Sequence, residues 1–369
     1  MKRIGCLTFH ASHNYGSSLQ TYALKRAIEL IDSSFEYHVI NLRFSTQDNL
    51  YKSIFDKHDI KSLYSRLFFL NQRKNLTIKH EKFETFIKKE FNTTTEYSES
   101  TLDVSNFDSI ICGSDQIWNI KACDFSWLYF LDFKTNASKI SYACSMGTSK
   151  IDLSKYEENK IIGLLSDFKY ISVRDENTKE TLKAICGCDF DVNIDPTMLL
   201  TKNEWINLIE RSNCSNRTKK YVFFYDLSHN KENWRIAKKI GRILKLPVVI
   251  SSVPYPRVVN KSVGFVKQLD CGPVDFINLI KNAELVLTSS FHGTIFSVIF
   301  NRPFFVINGC NDMRISHFLN KIVLQERIIT SNDFVLKVKD YYNVGFQKAN
   351  NIIEQERHRS LKKLEEVLK

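Results

Sequence analysis

One alternation occurs twice along this chain and restricts its fold more than any other feature: short apolar runs rich in branched residues, each followed by a longer stretch with helical spacing. The first series begins with a strand at Ile4–Phe9 and a turn over His10–Gly16. Ser17–Leu30 then carries Leu19, Tyr22, Ala23, Ala27 and Leu30 on one helical side, and Tyr37–Leu42 reads as the next strand. A strand, a crossover helix and a strand force parallel pairing. Further strands are expected at Ser109–Cys112, Lys139–Ala143, Tyr170–Val173 and Asp191–Ile194.

The second series places strands at Tyr221–Tyr225, Val248–Ser251, Leu285–Thr288 and Phe304–Ile307, with helices at Trp234–Leu244, Val274–Asn282 and Thr294–Phe300. A chain of 369 residues exceeds what one core usually organises. The expectation is therefore an α/β protein of two Rossmann-like domains facing across a cleft, with residues 1–205 in the first and 206–345 in the second. Residues 44–106 read as a helical, basic and aromatic insertion. Residues 346–369 read as a last helix that packs back across both domains.

With 43% hydrophobic and 25% charged residues, the composition is that of a folded globular chain. No apolar run approaches the roughly 18 residues of a membrane span, and the N-terminal apolar run is too short for a signal-peptide core. Nine cysteines lie scattered, several inside apolar runs, which suits reduced thiols and a cytoplasmic setting. The net charge of +11 fits an anionic substrate, an anionic membrane face or nucleic acid. No nucleic-acid recognition module is present, and the basic residues are spread along the chain, so nucleic acid is not expected.

Chemistry is sought at the carboxyl ends of the strands, where such folds bind ligands. Thr288-Ser289-Ser290-Phe291-His292-Gly293 is the strongest stretch. A helix starting there aims backbone N–H groups at an anion, with His292 beside it to give or take a proton. A capping serine pair and a structurally satisfied histidine explain the same residues. Arg174, after Tyr170–Val173, offers a fork for carboxylate or phosphate, or a surface pair with Asp175 or Glu176.

Cys112-Gly113-Ser114-Asp115-Gln116-Ile117-Trp118-Asn119 supplies the amides, carboxylate and indole that sugar sites use, or simply a buried structural tryptophan. The loop from His10 through Asn14, Tyr15 and Gly16 can line a cleft or be a turn capped at Ser17. It matches neither G-x-G-x-x-G nor a P-loop. Asp189-Phe190-Asp191 has a metal-dependent spacing but runs into a strand. His10 and His13 lack an evident third ligand, so no metal is expected.

Taken in order, Asn14–Gln20, Gly113–Asn119, Ser172–Glu176, Asp195-Pro196-Thr197 and Ser289–Gly293 resemble the polysaccharide pyruvyltransferase family over residues 4 to about 320. The resemblance implies a GT-B-like fold and ketal-forming pyruvyl transfer from phosphoenolpyruvate to a glycan acceptor in surface polysaccharide biosynthesis. Phosphoenolpyruvate is then a co-substrate and no cofactor is needed. The acceptor could be lipid-linked, with peripheral contact at the inner face of the cell membrane.

His292 matches the family's acid or base, and Arg174 an arginine that holds the donor. Asn14, Gly113, Ser114, Ser289, Ser290, Gly293 and Arg314 are assigned to the donor. Tyr15, Asp115, Gln116, Trp118 and Asn119 are assigned to the acceptor. Some members carry Arg where this chain has Ser290, and Arg314 is the residue expected to compensate. Two other readings stand beside this one: a GT-B glycosyltransferase using a nucleotide sugar, and a glycan-binding protein without catalysis.

Overall fold

The structure, a computed structural model, describes residues 2–44, 70–147, 151–212, 214, 219–228, 230–252, 263–307 and 312–369. The chain divides into two compact units. Residues 1–51, 85–200 and 354–369 form the first, and residues 52–84 and 201–353 the second.

The first unit is built on a seven-stranded sheet in the order β3-β2-β1-β4-β5-β6-β7. Its strands are β1 Arg3–Leu7, β2 Glu36–Leu42, β3 Thr93–Tyr97, β4 Ser109–Cys112, β5 Ser138–Cys144, β6 Phe168–Val173 and β7 Asp191–Val192. Every pairing is parallel. Strands β4 and most of β5 are buried along their whole length, as strands covered on both faces must be.

The second unit carries a six-stranded parallel sheet in the order β10-β9-β8-β11-β12-β13. These strands are β8 Val222–Tyr225, β9 Val248–Ile250, β10 Val266–Lys267, β11 Leu285–Thr288, β12 Phe304–Ile307 and β13 Ile328–Ile329. In both sheets the order reverses beside the first strand, between β1 and β4 and between β8 and β11. Open α/β sheets bind ligands outside the strand ends at that reversal, because the connections leave in opposite directions and open a crevice.

The stretch read as wholly helical contains β3. Thr93–Tyr97 joins the sheet edge beside β2, and its β-branched threonines suit that place. The helix Arg73–Glu90 precedes it. Phe68 and Phe69 of the basic aromatic stretch, like all of residues 45–69, lie outside the described residues.

The first helix begins at Tyr15 rather than Ser17. Asn14 caps it, its side-chain oxygen accepting from the Gly16 and Ser17 amides at 2.8 and 3.4 Å. The last helix runs Phe346–Leu368. Within the second unit Asn350 donates to Asn301 at 3.0 Å. Within the first, Arg357 donates to the Met198 carbonyl at 2.7 Å, and Lys169 caps the Val367 carbonyl at 2.8 Å.

Among the described residues no helix is long and apolar enough to cross a membrane. The described cysteines are free thiols, with Cys6, Cys112 and Cys144 buried.

Candidate functional site

In the first unit the candidate residues gather around the β1/β4 reversal. Asp115 follows β4 with a positive φ of 83°, a conformation Asp tolerates better than most residues. Its Oδ1 accepts from the Gln116 amide at 2.8 Å, and its Oδ2 takes the Ser17 hydroxyl at 2.5 Å. The helix start after β1 is thereby tied to the loop after β4.

Arg174, directly after β6, points back toward the same carboxylate. Its Nη1 lies 3.8 Å from Asp115 Oδ1 and donates to Asp195 Oδ2 at 3.1 Å. Burial alone would lower this guanidinium's proton affinity. The carboxylates of Asp195, Asp115 and Asp175 outweigh that and hold it above its ordinary value. Each of two neighbours is anchored in turn. Asp195 accepts from the Thr197 amide and hydroxyl at 3.0 and 2.6 Å, and Asp175 caps its helix through Thr178 while accepting from Ser145 at 2.6 Å.

Arg174 is therefore a buried residue rather than half of a surface pair, and the carboxylate it donates to at 3.1 Å lies 21 residues downstream. Asp195 and Asp175 carry no assignment in the sequence reading; an Asp that closes an apolar strand just before a helical turn is the signal they offer.

Four residues expected at the site are buried. The Trp118 ring is fully buried, stacks on Phe130 at 4.8 Å and donates to the Tyr129 carbonyl at 2.9 Å, so it offers no face to a sugar. Tyr15 is buried as well, at the first position of its helix. The Ser114 hydroxyl is turned inward to the Ala143 carbonyl at 2.6 Å. Gly113 is required by packing, since a Cβ there would stand 2.2 Å from the Tyr142 carbonyl oxygen.

Gln116 and Asn119 stay half-buried, their amide groups flanking Gly147. Asn14 is exposed, its side-chain oxygen engaged by its own helix.

In the second unit the motif after β11 folds as a compact turn. The Thr288 hydroxyl donates to the Tyr225 carbonyl at 2.8 Å and accepts from the Ser290 amide at 3.0 Å. Ser290 caps the helix Phe291–Ile299 by accepting from the Gly293 amide at 3.4 Å. That contact turns the Gly293 amide inward, and a Cβ at Gly293 would meet Thr288 Oγ1 at 2.4 Å. Glycine is there because the helix must pass that close to the strand end.

Within Phe291–Phe300 every residue is buried except His292. His292, on the first turn of this otherwise sealed helix, is half-buried, with its ring Nε2 withdrawn from water. Arg314 lies nearby, its guanidinium 5.5 Å from the Phe291 ring centre, with its fork closed on Asp312 at 3.0 and 2.8 Å.

Ser289 Oγ donates to Asp226 Oδ1 at 2.7 Å and accepts from the Leu227 amide at 2.9 Å. Asp226, directly after β8, is a residue the sequence reading missed; nothing local distinguishes it from any polar residue at a strand end.

A family model described as polysaccharide pyruvyl transferase matches residues 14–311. Among solved structures, the UDP-GlcNAc 2-epimerase from Neisseria meningitidis bound to UDP-GlcNAc superposes with a TM-score of 0.53 at 9% identity, covering 100% of this chain and 99% of that one. The UDP-GlcNAc 2-epimerase from Methanocaldococcus jannaschii gives 0.50 at 13% identity, covering 96% and 99%. No curated protein matches by sequence. At such identities the likeness concerns the fold, which is of the GT-B class, with two parallel-sheet α/β units.

Proposed function

We propose that this chain, which belongs to the polysaccharide pyruvyl transferase family, takes its pyruvyl group from phosphoenolpyruvate and sets it as a cyclic ketal on two hydroxyls of a glycan sugar. The observation that carries the assignment of chemistry is the half-buried His292 imidazole, its Nε2 withdrawn from water, on the first turn of the helix at the strand-order reversal of the second sheet.

The reaction needs an acid first. Protonation of the methylene carbon of phosphoenolpyruvate by His292 makes C2 electrophilic. One sugar hydroxyl adds at C2 and gives up its proton. The C2–O bond to phosphate then breaks, phosphate leaves, and the second hydroxyl closes the ring with loss of its own proton. Phosphoenolpyruvate and a diol become a ketal and inorganic phosphate.

The positive end of the helix Phe291–Ile299, and Arg314 once its fork leaves Asp312, are suited to the donor's negative charge. Arg174 serves the donor carboxylate or phosphate if that anion displaces Asp115, whose Oδ1 lies 3.8 Å from its Nη1. Asp115, Gln116 and Asn119 take acceptor hydroxyls.

Phosphate release by the purified protein, measured with phosphoenolpyruvate and a panel of glycans, tests the reading. Release should require both substrates. His292→Ala should lose about 10²–10⁴-fold in turnover while phosphoenolpyruvate still raises its melting temperature. Full turnover in that variant would remove His292 from the mechanism, and stabilisation by a nucleotide sugar alone would replace the pyruvyl donor with a glycosyl one.

A further inference from the structure

The strand-order reversal of the second sheet has two sides. One is the turn after β11 that presents His292. The other is the residue following β8, Asp226. It is 4% exposed, and its two oxygens are used very unequally.

Oδ1 accepts from the Ser289 hydroxyl at 2.7 Å, the Ser228 hydroxyl at 2.7 Å, the Ser228 amide at 3.3 Å and the Asn233 side-chain amide at 3.0 Å. Oδ2 is buried and has no hydrogen-bond partner among the described residues. Burying a carboxylate with one bare oxygen is costly. An asparagine would provide the oxygen that Oδ1 provides without burying a charge. Retention of the full charge therefore calls for a use, and the charge-assisted bond to Ser289 is one, such bonds being about twice as strong as neutral ones.

The bond reaches His292 through a short run of chain. Ser289 is held from two sides, by Asp226 Oδ1 and by the Leu227 amide, and its own amide donates to the Tyr225 carbonyl at 3.2 Å. The next residue is the helix cap Ser290, and His292 stands two further on. Phosphoenolpyruvate near neutral pH is an anion built of acceptor oxygens, so a carboxylate gains nothing by touching it. What Asp226 can do at this point is done on the protein.

We propose that Asp226 is a positioning residue for pyruvyl transfer: through Ser289 it locks the turn after β11 and so sets the place of the His292 imidazole. This rests on His292 being the acid.

The experiment compares Asp226→Asn, Ser289→Ala and the double variant with His292→Ala, each as full-length protein assayed for phosphate release. Asp226→Asn keeps the size of the side chain and is expected to fold, with a melting temperature close to that of the parent. Its kcat should fall about tenfold or more, with KM for phosphoenolpyruvate unchanged, because a displaced acid slows the chemical step without loosening the donor. Ser289→Ala should behave alike, and the double variant should be no slower than the slower single one.

A parent-like kcat in Asp226→Asn, a loss confined to KM, or additive losses in the double variant would overturn the assignment of Asp226. Parent-like turnover in His292→Ala would overturn the reading beneath it, and the two failures are told apart by which variant stays active.

Discussion

Arg174 donates to Asp195 across 3.1 Å with both side chains withdrawn from water, 1% and 0% exposed respectively. A pair so buried gains strongly from its own attraction and loses strongly from desolvation, and the two nearly balance. The balance fails once a partner is taken away, since the remaining charge has lost its water and gained nothing.

Arg174→Ala is accordingly expected to destabilise the protein by about 3–5 kcal/mol, read as a fall in the denaturant midpoint. Arg174→Lys should lose less, because it keeps the charge and gives up only the planar fork. An unchanged midpoint in Arg174→Ala would show that Asp115, Asp175 and Asp195 find other partners.

Gly293→Ala tests the closeness of the strand end to the helix. Its methyl would sit 2.4 Å from Thr288 Oγ1, a contact that something must yield. Overpacking of this kind costs typically 1–3 kcal/mol, so the expected loss is about that size. Adding Thr288→Ala removes the obstructing hydroxyl and should recover part of it, at the expense of the bond to the Tyr225 carbonyl. Equal stability of the single and double variants would place the strain elsewhere.

Lys79, on the helix Arg73–Glu90, gives a pH signature. Burial pushes its ammonium down to about 8 against an ordinary value of 10.5, with the Cys271 thiol opposing the shift. Between those two pH values the unfolded chain holds a proton that the folded chain has released. Stability from this group therefore rises with pH across that window, and its cost is fully present below pH 8. Lys79→Met should be more stable than the parent below pH 8, and the difference should shrink toward pH 10.5. A constant difference in denaturant midpoint over that range would mean that Lys79 keeps its proton in the folded state.

The central strands and their parallel pairing were readable from the sequence because both follow from local rules, whereas the edge strands β3, β10 and β13 were not. Ser109–Cys112, Leu285–Thr288 and Phe304–Ile307 occupy the residues their apolar runs mark. The helix from Phe291 starts three residues earlier than its apolar spacing suggests, because the cap is set by the Ser290 side chain. Thr93–Tyr97 was hidden in a stretch of helical, basic character; an edge strand of three consecutive threonines followed by Glu96 and Tyr97 carries little apolar signal.

The candidate site divides along the same line. That His292 opens a helix at a strand end is a local fact, visible in six consecutive residues. Which way each neighbouring side chain turns is not local. Ser114 faces inward because the Ala143 carbonyl on the adjoining strand is there to accept its hydroxyl, and Trp118 is sealed because Phe130 and the Tyr129 carbonyl meet its ring. Asp195 finds Arg174 from 21 residues away, and Asp226 finds Ser289 from 63. Hydrophobic period and turn chemistry act between near neighbours along the chain, so the sequence alone determined two parallel α/β sheets and the positions of their central strands. Buried hydrogen bonds and ion pairs are made between strands brought together only by sheet order, and so the tertiary structure alone decided which polar residues support the fold and which remain for a ligand.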